Sequence, residues 1–123
     1  GKRVRETIAG NISTPKTILM KSARDRDTNV AYNVACNPNV PREALTILAE
    51  RRNIGILVAV VRNKNTPEEA LAKLARNNNR NLRLLIAEHE NTSRETLEFL
   101  LLKAVKEADQ KLAETVRLAL AKQ

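Results

Sequence analysis

Tryptophan is absent from the 123 residues, and Tyr32 and Phe99 are the only aromatic side chains. A core without large rings has to be built from Leu, Ile, Val and Ala. An enzyme that extrudes bases stacks its target on aromatic rings, and two rings in separate parts of the chain do not supply that. His89 and Cys36 are the only residues of their types and lie far apart in the chain. A metal site needs several nitrogen, sulfur or carboxylate ligands at matched spacing, and covalent catalysis needs a nucleophile beside a base. Neither pattern is present, so no catalytic centre and no cofactor are expected. A single cysteine excludes an internal disulfide, which suits a reducing compartment such as the cytoplasm. Glycine occurs only at positions 1, 10 and 55, so there is no glycine-rich phosphate loop. The longest apolar run, Ile54 to Val61, is about half the length a membrane span needs. No signal-peptide pattern stands at the N-terminus.

What is present is a repeat. Thr14-Pro15, Val40-Pro41 and Thr66-Pro67 follow one another at intervals of 26, and the next step lands on Thr92-Ser93. Asn11, Asn37 and Asn63 keep the same period, with His89 in the fourth slot. So do Leu19, Leu45, Leu71 and Leu97, then Ala23, Ala49, Ala75 and Leu101. A fixed period of this size marks stacked supersecondary units that cannot bury their apolar faces alone. With 42% hydrophobic residues, the chain has the material for such a core.

Each unit reads as two helices. The first opens at the Thr-Pro step, with threonine as N-cap and proline at the first helical position. Thr66 with Glu69, and Thr92 with Glu95, have the spacing of a capping box, whereas Val40 deprives the second unit of its cap. Ala44, Leu45, Leu48 and Ala49 recur at helical spacing, as do Ala70, Leu71, Leu74 and Ala75. Asp27, Asn53 and Asn79 are the expected N-caps of the second helices. The asparagines that close those helices tolerate the left-handed conformation common at helix ends. Ile54 to Val61 reads locally as a buried strand, but the repeat register assigns it to a helix. Residues 1–105 therefore form a helical repeat array of period 26. Residues 106–123, with Leu112, Val116 and Leu120 on one face, form a C-terminal capping helix.

From Val30 to Ala49 the pattern is V-x-x-x-V-A-x-N-P-x-V-P-x-x-A-L-x-x-L-A, and it recurs from Ile56 to Ala75 with Lys64 in place of the first proline. It resembles the leucine-rich repeat variant family over roughly residues 3 to 101. In the fourth unit the match thins, because His89-Glu90 and Ser93 replace Asn-Pro and Pro. The resemblance implies an all-α, right-handed solenoid of about four two-helix repeats, in which the second element can be a 3₁₀ helix. It implies no activity and no site residues.

Charge is the remaining signal. The formal net charge is +8, which favours an acidic protein surface or a nucleic-acid backbone as partner. The turns between first and second helices hold Lys2, Arg24, Arg26, Arg51, Arg52, Arg76, Arg80, Lys103 and Lys106 against only Asp25, Asp27 and Glu50. Solvation alone makes turns charged, but it does not select one sign. This edge, from Arg24 to Lys106, is the candidate anion-binding surface. Leu57, Val58, Leu84 and Leu85 flank the core positions of the second helices. They are either buried in an inner layer or exposed as an apolar docking face. The expected role is a non-catalytic scaffold that binds another protein, with sequence-independent binding of nucleic-acid backbone as the alternative.

Overall fold

The computed structural model describes all residues, Gly1–Gln123, as nine α-helices with no strand. Helices α1 (Lys2–Gly10), α3 (Thr28–Cys36), α5 (Ile54–Arg62) and α7 (Arg80–Glu88) are nine residues long and start 26 positions apart. Helices α2 (Lys16–Ser22), α4 (Arg42–Leu48) and α6 (Glu68–Leu74) are seven residues long, and α8 (Arg94–Lys106) begins one further step of 26 along. Helix α9 (Gln110–Ala121) follows a short turn. The second element of each pair is α-helical rather than 3₁₀. Its first turn already closes i to i−4, with Leu57 N–H donating to Asn53 O and Arg83 N–H to Asn79 O. The apolar run at Ile54 is helical because the Asn53 side chain accepts from the Ile56 N–H and so starts a helix there. Asp27 and Asn79 do the same for α3 and α7.

The threonines behave differently from expectation. Pro15 and Pro41 occupy the N-cap positions themselves, in extended conformation, and no side chain caps α2 or α4. Thr14, Thr66 and Thr92 lie before the helix and donate their hydroxyls backwards, to the carbonyls of Ile8, Val60 and Ile86. Those carbonyls belong to the last turns of α1, α5 and α7 and accept from the closing N–H of Asn11, Asn63 and His89 as well, so the hydroxyl adds a second donor to each. At α8 the expected cap at Thr92 shifts by one residue. Ser93 caps α8 in place of Thr92, accepting from the Thr96 N–H at 3.1 Å. Val40 consequently deprives α4 of no cap. It is buried and forgoes only the backward hydroxyl bond.

The chain divides into two compact units, Gly1–Pro67 and Glu68–Gln123. In the first, α1 packs on α3, α3 on α5, and α2 on α4. Leu19, Val30, Val34, Leu45, Leu48 and Val60 are completely buried there. Polar stitches run through this apolar packing. Asn11, Asn37 and Asn63 close their helices in extended rather than left-handed backbone, with φ between −81 and −72°. Extended backbone frees the carboxamide to work in two directions. Asn37 Oδ1 accepts from the Asn39 N–H, while Nδ2 donates to Ala9 O at 2.8 Å and Asn11 O at 2.9 Å. Asn63 repeats this one step on, with Oδ1 bound by the Asn65 N–H and Nδ2 directed to Ala35 O and Asn37 O. At the opposite turn, Arg51 Nη1 donates to Ala23 O and Asp25 O. The asparagine stitches thereby satisfy the last-turn carbonyls of Ala9 and Ala35 and share those of Asn11 and Asn37 with the N–H groups of Thr14 and Val40.

In the second unit, α9 packs on α8 and α7, and Leu71, Leu82, Ile86, Leu97, Leu100, Leu112 and Val116 are buried. Helix α8 ends in a left-handed residue, Ala108 at φ 55°. The Asp109 N–H reaches back to Ala104 O and the Ala108 N–H to Val105 O, the bond pair of a Schellman turn.

Two substitutions test this account by urea denaturation. Leu71→Ala removes a fully buried side chain and lowers stability by about 2–5 kcal/mol; a loss under about 0.5 kcal/mol would place it on the surface. Ala108→Gly relieves the left-handed strain and raises stability by about 0.5–1 kcal/mol.

Candidate binding surfaces

A cation can recruit an anionic partner only where the fold has not already used its charge. In the first unit, Arg24, Arg26 and Arg52 are exposed and have no ion-pair partner. Arg51 is partly buried and committed to the carbonyls of Ala23 and Asp25, so it belongs to the packing rather than to a binding edge. Lys2 lies 3.4 Å from Asp27 and Arg5 2.8 Å from Asp25. The Asp25 carboxyl is held below the ordinary carboxylate range, first by the Asp27 N–H it accepts from and then by Arg5, against a desolvation penalty.

In the second unit the charge is largely spent. Arg80 forms a two-pronged pair with Asp109, Nε to Oδ2 at 2.7 Å and Nη2 to Oδ1 at 3.0 Å. Lys103 stands 3.7 Å from Glu107. The Arg76 guanidinium covers the Phe99 ring at 5.3 Å. Of the edge cations here, Arg76 and Lys106 are exposed without an ion-pair partner, and Lys106 stands at the last turn of α8, where a cation is favoured by the helix dipole. Glu107 and Asp109 lie just beyond the turn residues that define the basic edge in the sequence, and the α8–α9 turn brings them back against it.

Arg83 shows why. It occupies the slot held one and two steps earlier by Leu57 and Ala31, both buried, and its own side chain is buried as well. It donates to Asn77 O at 3.1 Å, to Asn78 Oδ1 at 3.2 Å and to Glu107 Oε1 at 2.8 Å. A guanidinium in a core slot needs such partners. The column also holds Arg5, which stays exposed and pairs with Asp25, so an arginine in this slot signals a nearby carboxylate without saying that it is buried.

The apolar candidates separate. Leu57 is buried and presents nothing for docking, whereas Val58, Leu84 and Leu85 are half-buried. Val58 helps line a surface groove of about 460 Å³ between α3 and α5, together with Tyr32, Cys36, Ala59, Arg62 and Lys64. Tyr32 and Cys36 are exposed. The Cys36 thiol beside it raises the Tyr32 phenol above its ordinary value, while Arg62 pulls the other way. The groove thus has an aliphatic floor, one aromatic ring and two cations. Its residues are one turn apart on successive second helices, a juxtaposition that the helical register contains but the charge inventory by turns does not reveal.

No helix is long and apolar enough to cross a membrane. Comparison with protein-family models, with curated proteins and with solved structures finds no match.

Asp109 supplies a pH test. Arg80 first, and then the Leu112 N–H, hold its carboxyl below the ordinary carboxylate range. The folded value lies under the unfolded one, so the stabilisation is complete above the ordinary range and is lost as pH falls through the lowered value. The thermal midpoint of the wild-type chain should therefore drop more steeply on acidification than that of Asp109→Asn. Parallel curves would mean the Arg80 pair is not linked to folding.

Proposed function

We propose that this protein is a non-catalytic binding scaffold of about four stacked two-helix repeats, a right-handed solenoid of the leucine-rich repeat variant kind closed by α9. Its principal docking site is the groove between α3 and α5, and its partner is an acidic segment of another protein. The 26-residue step in helix boundaries and the backward stitches of Asn37, Asn63 and Arg51 support the stacking. The observation that carries the docking reading is the composition of the groove. Tyr and Arg over an apolar floor are the residue types that concentrate binding energy at protein interfaces. The exposed cation Arg62 selects an acidic segment. Chemistry on a bound substrate has no place in this reading, because neither nucleophile, base nor ligand set enters it.

Arg24, Arg26 and Arg52 favour a second reading, in which exposed turn cations of the first unit hold a nucleic-acid backbone. Pairing of Arg80 and Lys103 with carboxylates takes charge away from that reading in the second unit.

Titration of the full chain with a fluorescein-labelled polyglutamate peptide and with a labelled DNA duplex, each in 50 and 200 mM salt, separates the two. Saturable peptide binding is expected, weakened about tenfold or more (~1.4 kcal/mol) in the double variant Tyr32→Ala, Arg62→Glu. Equal binding by that variant would remove the groove as the site. Duplex binding tighter than peptide binding, falling by about a thousand-fold between the two salts, would establish the backbone reading instead.

A further inference from the structure

The same slots of the repeat are buried in the second and third helix pairs and open in the first. Val4 is 58% exposed, whereas Val30, one step of 26 later, is 0% exposed and Ile56 1%. Ile8 is 40% exposed where Val34 and Val60 are 0%. Ile18 is 41% exposed where Ala44 is 0%. Val30 and Val34 owe their burial to α1 packing on α3, and Ala44 to α2 packing on α4. Scattered exposed aliphatics need no explanation, but three in a single helix pair, all at slots that are buried in the next pair, form a patch.

A polar observation points the same way. Asn37 and Asn63 each spend Oδ1 on their own turn and Nδ2 on two carbonyls of the pair before. Asn11, in the same slot, accepts from the Ser13 N–H at 2.8 Å in the same manner, but its Nδ2 has no protein partner. The donor that stitches one pair to the next is therefore in place on the open face. Such a donor matches the free carbonyls at the C-terminal end of a helix.

We infer that the face formed by α1 and α2 is a docking surface for one further helix pair of the 26-residue pattern, seated on it as α1 and α2 are seated on α3 and α4. Its aliphatic stripe covers Val4, Ile8 and Ile18, and the last-turn carbonyls of its nine-residue helix accept from Asn11 Nδ2. The inference shares the stacking reading given above but not the groove, so the polyglutamate titration can fail without touching it. It continues an interface that the first unit already contains twice, α1 on α3 and α3 on α5. The chain's own repeat, rather than an unrelated apolar surface, offers both the stripe and the carbonyls.

The test places a copy of residues 28–53 directly ahead of Lys2, in register with the step of 26. The fusion should unfold in one transition at a higher midpoint than the parent chain, and amide exchange in α1 should slow by about tenfold or more. Asn11→Ala in the fusion should return part of the gain. A control fusion whose copy carries Leu45→Asp and Leu48→Asp should leave α1 exchange at the parental rate. Unchanged exchange with the intact copy, or equal protection from the control, would overturn the inference. In the parent chain Ile8→Asp should leave the midpoint unchanged; a fall typical of a core substitution would show the face already covered. Sedimentation of the parent chain as a dimer that Ile8→Asp dissociates would assign the face to a second copy and likewise overturn it.

Discussion

Every helix end exposes carbonyls that it cannot satisfy, and this chain of short helices has many such ends. The Asn37 carboxamide resolves the problem by closing its own turn with Oδ1 and reaching 26 and 28 residues back with Nδ2. Nine- and seven-residue helices are too short to be stable on intrinsic propensity alone. They persist because the aliphatic seam and the carboxamide stitches share one spacing. Slipping a helix against its predecessor would break both at once. The cooperativity of the first unit rests on that coincidence of apolar and polar periods.

Much of this was legible in the residues. The leucine columns, the helical assignment of Ile54 to Val61, and the caps Asp27, Asn53 and Asn79 all follow from a period combined with local chemistry. Backbone conformation at the closing asparagines did not. Asn is compatible with left-handed and extended geometry alike, and in Asn11, Asn37 and Asn63 the extended form goes with an Oδ1 bond from the N–H two residues on, present even at Asn11 where no pair precedes. The threonine columns misled for a related reason. A hydroxyl before a Pro can cap forwards or anchor backwards. Pro15 takes the cap position after Thr14 and Ser93 after Thr92, and the threonine hydroxyl then joins the closing N–H on the carbonyl six residues earlier. The one left-handed residue, Ala108, carries no sequence mark, because glycine would have been the usual choice.

Charge was the least legible part of the candidate surfaces. Assigning charge to turns by register locates it along the chain but not in depth. Arg51, Arg80 and Arg83 are all turned to structural use, two of them by carboxylates that follow in sequence after the repeat register ends. The edge cations left without an ion pair are Arg24, Arg26 and Arg52 in the first unit and Arg76 and Lys106 in the second. The proposed docking site is instead a groove that mixes a ring, aliphatic side chains and two cations, where each group would contribute through its neighbours rather than through net charge.

The placement of Tyr32 has a practical consequence. With no indole in the chain, this phenol is its principal intrinsic fluorophore, and it sits at the rim of the groove between α3 and α5. Its emission therefore reads quenching or shielding at that rim while remaining nearly blind to the aliphatic interior. Loss of the core would be followed by ellipticity in the far ultraviolet, and occupancy of the groove by tyrosine emission, so one unlabelled sample separates the two events by wavelength.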